Sequence, residues 1–332
     1  MKSPRTRSDK ALLLPLALAL VFAVATAFSA PDLSAATAKA KQKTFASPEE
    51  AVAALIGAMK TNDNAEMSAV FGPGSESLIS SGDDVRDKAE REWFLKNYEE
   101  KNSLEKKGDD EAVLQVGKDD WPLPIPVRKK GSAWSFDTKA GKEEILDRRI
   151  GRNELNTIEA VQAYVVAQRE YAARDWDGDG VYPYAQKFGS TPGKKDGLYW
   201  KAGAGEEPSP LGPLAARAAR EGYPKAAKSG EVSPFEGYYF KILKAQGKHA
   251  PGGSYDYVVK GNMILGFGLV AYPAKYGSSG IMTFLVNQEG VVYQKDLGKG
   301  TAKTAQAMKR YDPDPTWKKV EAGPPEGSPP GK

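Results

Sequence analysis

Thr157-Ile158-Glu159-Ala160-Val161-Gln162-Ala163-Tyr164-Val165-Val166-Ala167-Gln168-Arg169-Glu170-Tyr171-Ala172 opens the stretch, residues 156–200, around which the rest of the chain can be read. Asp175-Trp176-Asp177-Gly178-Asp179-Gly180 follows, then Tyr184-Ala185-Gln186-Lys187-Phe188 and Asp196-Gly197-Leu198-Tyr199-Trp200. Ile158, Val161, Tyr164, Val165 and Tyr171 recur at helical spacing, which predicts an amphipathic helix. It runs into an acidic, glycine-containing loop and then a second short helix over 184–188. Working outward from here, the segments upstream alternate helix and then strand, and those downstream read as successive strands.

Three hundred and thirty-two residues suffice for two domains, each with its own core. With 47 basic and 43 acidic residues the net charge is +4, too mild to argue for nucleic acid. Cysteine is absent, which excludes disulfides, zinc-cysteinate sites and thiol nucleophiles. The single histidine, His249, lies in Gly247-Lys248-His249-Ala250-Pro251-Gly252-Gly253, a loop composition, so clustered-histidine metal sites are excluded as well.

Lys2, Arg5, Arg7 and Lys10 precede an apolar run over 11–28 and then small residues, the form of an export signal, expected to occupy 1–38. A retained anchor is the alternative, since the run approaches spanning length; Pro15 and Ala36-Thr37-Ala38 favour cleavage and no membrane span thereafter. A small α+β domain is expected over 44–146. Ser47-Pro48-Glu49-Glu50 has capping-box form and starts a helix to Lys60. Further helices are expected over 64–71 and 83–101, then strands over 112–116, 121–127 and 133–137, the middle one an edge strand because its prolines alternate. In element order this part is similar to a cystatin-like or nuclear-transport-factor-like sheet wrapped on a helix.

Asp147-Arg148-Arg149-Ile150-Gly151-Arg152-Asn153-Glu154 suits either an anion clamp or an ion-pair seam between domains. The second domain, 147–320, should be a helix followed by an antiparallel meander, with Asn287-Gln288-Glu289-Gly290 as a tight hairpin. Residues 321–332, rich in proline and glycine, read as a disordered tail.

Ala167-Gln168-Arg169-Glu170-Tyr171-Ala172, Asp177-Gly178-Asp179-Gly180, Pro208-Ser209-Pro210-Leu211-Gly212-Pro213 and the run from Met282-Thr283-Phe284 to Asp296-Leu297-Gly298 resemble the bacterial DUF2950 family, of unknown function. Trp121-Pro122-Leu123-Pro124-Ile125-Pro126 and Arg148-Arg149-Ile150-Gly151-Arg152-Asn153-Glu154-Leu155 belong to the same resemblance, which spans nearly all of the exported chain. More remotely, the C-terminal half is similar to the head of type IV pilin-like and pseudopilin proteins. It departs from them in placing a whole domain between the N-terminal apolar run and the head.

Asp175, Asp177 and Asp179 alternate and Gly180 follows, the D-x-D-x-D-G opening of a calcium loop. Val181 would offer its carbonyl, and Gln186 stands where a bidentate glutamate is usual, which implies weak binding, ~0.1–1 mM. An Asp/Gly turn that caps its neighbours would use the same residues. The function expected is a non-catalytic envelope module, periplasmic or secreted, that binds protein or glycan components of the cell envelope. The alternatives are a hydrolase using Asp175, Asp179 or Glu170, and a glycan binder using Trp176, Tyr182, Tyr184, Tyr199 and Trp200.

Overall fold

The computed structural model describes residues 41–203, 205–223 and 233–321. The expected leader over 1–38 lies outside the described residues, as does all but the first residue of the expected tail. The fold is α+β, with two open antiparallel sheets of five strands each.

Four helices come first: α1 (Pro48–Lys60), α2 (Asn64–Phe71), α3 (Glu76–Ile79) and α4 (Asp84–Glu100). The capping box forms: Ser47 Oγ accepts the Glu50 N–H at 3.1 Å, and Glu50 reaches back to accept the Ala46 N–H at 3.1 Å. Asp63 and Asp83 cap α2 and α4 through the N–H groups of Glu66 and Arg86.

The first sheet runs β1 (Asn102–Lys106), β2 (Glu111–Val116), then, with β3 (Trp121–Pro122) also paired on β2, β4 (Val127–Lys130) and β5 (Ala133–Phe136). The proline stretch pairs with β2 at β3 and through the Leu123 N–H to Leu114 O at 2.7 Å, then resumes at β4, since Pro122, Pro124 and Pro126 have no N–H to donate to a ladder. Strand β1 escapes sequence inspection because Asn-Ser-Leu-Glu-Lys is polar and almost wholly exposed. Leu55, Met67, Leu114, Ile125 and Phe136 centre the core between sheet and helices.

α5 (Thr138–Tyr171) is a single helix of 34 residues, about 50 Å long. Its start lies well before residue 157, where apolar periodicity begins; the dense charges and two glycines of the first half hide it. Gly141 lets the helix sit against the sheet, since a Cβ there would stand 2.1 Å from the Pro124 carbonyl oxygen. The expected junction at 147 therefore falls inside a helix. Apolar side chains nevertheless gather in one cluster up to Leu146 and another from Ile158 onward.

Four members of the arginine motif tie α5 to other elements. Arg149 donates to the Ser77 and Leu78 carbonyls, both at 2.8 Å, and Arg152 pairs with Glu90. Asn153 donates to Ser279 O at 2.9 Å, and Glu154 accepts the N–H groups of Ile281 and Met282 at 2.9 Å. Asp83 completes this seam by accepting from the Tyr223 hydroxyl at 2.7 Å and the Gly237 N–H at 2.8 Å.

Beyond α5 come α6 (Gly212–Arg220), β6 (Tyr238–Leu243), β7 (Ala245–Gln246), β8 (Tyr255–Asp256), β9 (Val258–Val259), β10 (Asn262–Met263), β11 (Gly268–Pro273), β12 (Met282–Asn287), β13 (Tyr293–Asp296), α7 (Thr301–Ala307) and β14 (Lys318–Lys319). The second sheet has the order β14-β13-β12-β11-β6, all antiparallel. One face packs on α5 through Leu269, Ala271, Phe284 and Val286; the other is covered around Ala305, Tyr311 and Trp317. A turn forms at 287–290, where the Gly290 N–H donates to Asn287 O at 2.9 Å and Gly290 takes φ 77°, but β12 and β13 pair only up to Leu285 and Tyr293, so the connection is longer than the tight hairpin expected. The stretch 255–259 divides between β7–β8 and β9–β10, two short ribbons outside the sheet. No helix among the described residues is long and apolar enough to cross a membrane.

Candidate functional site

The C-terminus of α5 delivers the chain to the acidic loop. Asp175 Oδ1 accepts from the N–H groups of Gly178 at 2.8 Å and Asp179 at 3.2 Å, and its Oδ2 from Gly180 at 2.8 Å. Asp179 Oδ1 accepts from the Val181 N–H at 2.8 Å. Gly178 and Gly180 allow this curl through φ of 75° and 82°. The three acids bring one carboxylate oxygen each within 4.8 Å of the others. Backbone donation, from Gly180 most strongly, holds the Asp175 carboxyl below its ordinary range. Asp177 is pushed up, by lost hydration first and then by the charges of Asp179 and Asp175.

Gln186 is not brought to this cluster. Its Nε2 donates to Gly261 O at 2.6 Å and its Oε1 accepts from Lys244 Nζ at 2.9 Å. The second short helix expected at 184–188 is absent, and the segment is extended. Tyr184 donates its N–H to Met263 O at 2.8 Å, and the Gln168 side chain both accepts from the Ala185 N–H and donates to its carbonyl, each at 2.8 Å. Those bonds take the backbone groups that a helical turn would need. Of Asp175, Asp177, Asp179, Val181 and Gln186, the structure gathers the three acids and leaves Val181 joined through its N–H alone.

Aromatic rings stand directly behind the loop. Trp176 stacks on Tyr171 with centroids 5.4 Å apart and meets Trp200 edge-on at 5.0 Å, while Lys195 Nζ lies 5.4 Å from both indole centroids. The Tyr171 hydroxyl donates to Lys195 O at 2.7 Å, and burial, aided by the charges of Asp196 and Asp177, pushes it up to about 12. Asp196 organises the next loop by accepting from the Thr191 N–H at 2.7 Å, the Thr191 hydroxyl at 2.8 Å and Lys187 Nζ at 2.6 Å. Loss of hydration works upward on its carboxyl, but the Lys187 and Thr191 bonds prevail and hold it at about 2. Gly197 is required, because a Cβ there would come 2.8 Å from the Gly189 backbone.

Between this loop, α6 and β6 opens a cleft of ≈ 1020 Å³. Phe188, Tyr199, Phe235 and Phe240 line it, with Lys194, Lys195 and Lys201 exposed at one wall against the single carboxylate of Glu206. Tyr199 and Trp200, two of the proposed sugar-stacking residues, face the cleft. Trp176 packs behind Trp200, Tyr184 packs on Phe267 at 4.9 Å, and Tyr182 stands exposed beside the acid loop. Sequence inspection missed Phe188, Phe235 and Phe240; the only signal was the basic pair of Pro192-Gly193-Lys194-Lys195 set between aromatic segments. Glu170 is exposed, and His249 is a loop residue whose ring Nδ1 lies 3.1 Å from Asp312 Oδ1.

Residues 42–320 match the family model described as "Protein of unknown function (DUF2950)", and the chain belongs to that family. No curated protein and no solved structure matches it.

Proposed function

We propose that this DUF2950 chain is an exported, non-catalytic binding module of the cell envelope, and that the cleft between the 188–201 loop, α6 and β6 holds its ligand. The cleft itself carries the proposal: a volume of ≈ 1020 Å³ walled by aromatic faces and three lysines suits a polymer with flat apolar faces and negative charge, such as an acidic envelope glycan. The helix of α5 laid on an antiparallel sheet is also what a pilin-like head would require, and such heads serve as presentation scaffolds. Hydrolysis has less support. Backbone donors hold the Asp175 carboxyl below its ordinary range, and Asp179 and Glu170 are exposed rather than set in an apolar pocket.

The acidic loop adds a calcium ion to the proposal. Three carboxylates drawn within 4.8 Å repel, and a cation would relieve that repulsion while stiffening the connection from α5 to the cleft loop. Sedimentation with purified envelope polysaccharide or peptidoglycan tests the cleft, with Tyr199→Ala and Lys194→Glu as probes. Retention by wild type and loss in both variants is expected; equal retention of all three would remove the cleft from consideration.

A further inference from the structure

A second cavity, of ≈ 490 Å³, opens in the N-terminal part between α4, the start of α5 and the first sheet. Its body is apolar: Met59, Met67, Phe94, Leu123 and Ile125 line it. Its charged lining is one-sided, with five arginines, Arg86, Arg91, Arg148, Arg149 and Arg152, against Asp87 and Glu90. Volumes of this size lie within the range of small-molecule sites, ~300–1,000 Å³.

The arginines are positioned by the fold and not fully used by it. Arg149 is 6% exposed and spends its two terminal nitrogens on the Ser77 and Leu78 carbonyls. Its Nε lies 3.4 Å from Glu90 Oε2, outside hydrogen-bonding geometry, and is buried without an acceptor; the Arg86 Nε is buried without one too. A buried guanidinium N–H lacking an acceptor is destabilising, and a bound anion would supply one. Glu90 is shared among Arg86, Arg149 and Arg152, with Glu236 as a second partner of Arg86 alone. At the mouth, Arg148 is half exposed, pairs with Glu144 one turn back and lies over the Trp121 ring at 5.6 Å, so a ligand carboxylate would compete with Glu144 for it. Burial raises the Asp87 carboxyl and lowers the Arg91 guanidinium, as expected where water is scarce.

We propose that this cavity binds an amphiphilic anion, a single acyl chain ending in a carboxylate, with the chain among Met59, Met67, Phe94, Leu123 and Ile125 and the head group on the arginines. An apolar metabolite would leave the Arg86 and Arg149 Nε–H groups unanswered, and a small anion such as phosphate would leave the apolar body empty. The site is separate from the aromatic cleft, so either assignment can fail without the other.

The test uses the mature full chain and two probes of equal length, dodecanoate and dodecanol, below their micelle or solubility limits, with binding followed by titration calorimetry. Saturable one-to-one binding of dodecanoate is expected, with dodecanol at least about tenfold weaker, as loss of a charge-assisted contact of about 1.4 kcal/mol requires. Arg148→Gln, at an exposed position that leaves the fold intact, should weaken dodecanoate severalfold and leave dodecanol unchanged. Bromine-labelled dodecanoate should also quench Trp93 and Trp121, which meet edge-on at 6.0 Å beside the cavity, and quenching should fall in Trp121→Phe. Absence of saturable dodecanoate binding, or equal affinity for the two probes, overturns the proposal.

Discussion

Gln168 offers the sharpest test of how α5 builds the cleft. It is fully buried, and its amide accepts the Ala185 N–H, donates to the Ala185 carbonyl, both at 2.8 Å, and donates to the Tyr164 hydroxyl at 2.9 Å. Gln168→Met keeps nearly the same volume but withdraws both partners from Ala185, which is 2% exposed and has no route to water without the loop moving. Tyr164 keeps its bond to Gly268 O at 3.3 Å, so the loss is concentrated on Ala185. Two buried backbone groups left unpaired cost about 1–3 kcal/mol each, less a small gain from the more apolar side chain, giving about 3 kcal/mol. Urea unfolding should show this as a lower midpoint at unchanged slope, and cleft ligands should bind more weakly because the segment leading to Phe188 and Tyr199 is released. A loss below about 1 kcal/mol would show that the amide pairing does not hold the loop, and that the site geometry rests on something else.

Four further outcomes follow from particular residues. Gly141→Ala should destabilise by about 3 kcal/mol or more, since its Cβ meets the Pro124 backbone, whereas Gly151→Ala in the same helix, with open space around it, should stabilise by ~0.5–1 kcal/mol; thermal melts of both variants check the pair. Calcium at ten times its dissociation constant should raise stability by ~1.4 kcal/mol, and Asp177→Ala should abolish the response, read as a melting shift over millimolar additions; identical responses would reduce the loop to a turn. Asp196 has a folded value of about 2 against an ordinary 3.8, so its contribution is present above the ordinary value and is lost as pH falls toward 2. Urea midpoints from pH 6 to about 2 should therefore drop less steeply in Asp196→Asn than in wild type. Export, as proposed above, requires mass spectrometry to find a first residue between roughly 28 and 41, and an intact Met1 in membrane fractions would favour an anchor instead.

Local chemistry was legible in the chain wherever a few neighbouring residues decide the outcome. Ser47-Pro48-Glu49-Glu50 announced a helix start, Asn287-Gln288-Glu289-Gly290 announced a turn, and the spacing of Ile158, Val161, Tyr164 and Tyr171 announced the face that packs on the sheet. Three alternating aspartates ahead of Gly180 could be seen as a cluster because a loop of six residues cannot hold them far apart. What depends on distant partners could not be seen. The first half of α5 carries little apolar periodicity because its charged and amide side chains answer groups from other elements: the Ser77, Leu78 and Ser279 carbonyls, the Glu90 carboxylate, the Ile281 and Met282 N–H groups. Gln186 sits at the spacing of a calcium ligand, yet Gly261 and Lys244, remote in sequence, claim its amide. The aromatic cleft and the arginine-lined cavity arise where segments separated by tens of residues converge. Spacing along a chain constrains only neighbours, whereas a cavity is made by the packing of surfaces that spacing does not relate.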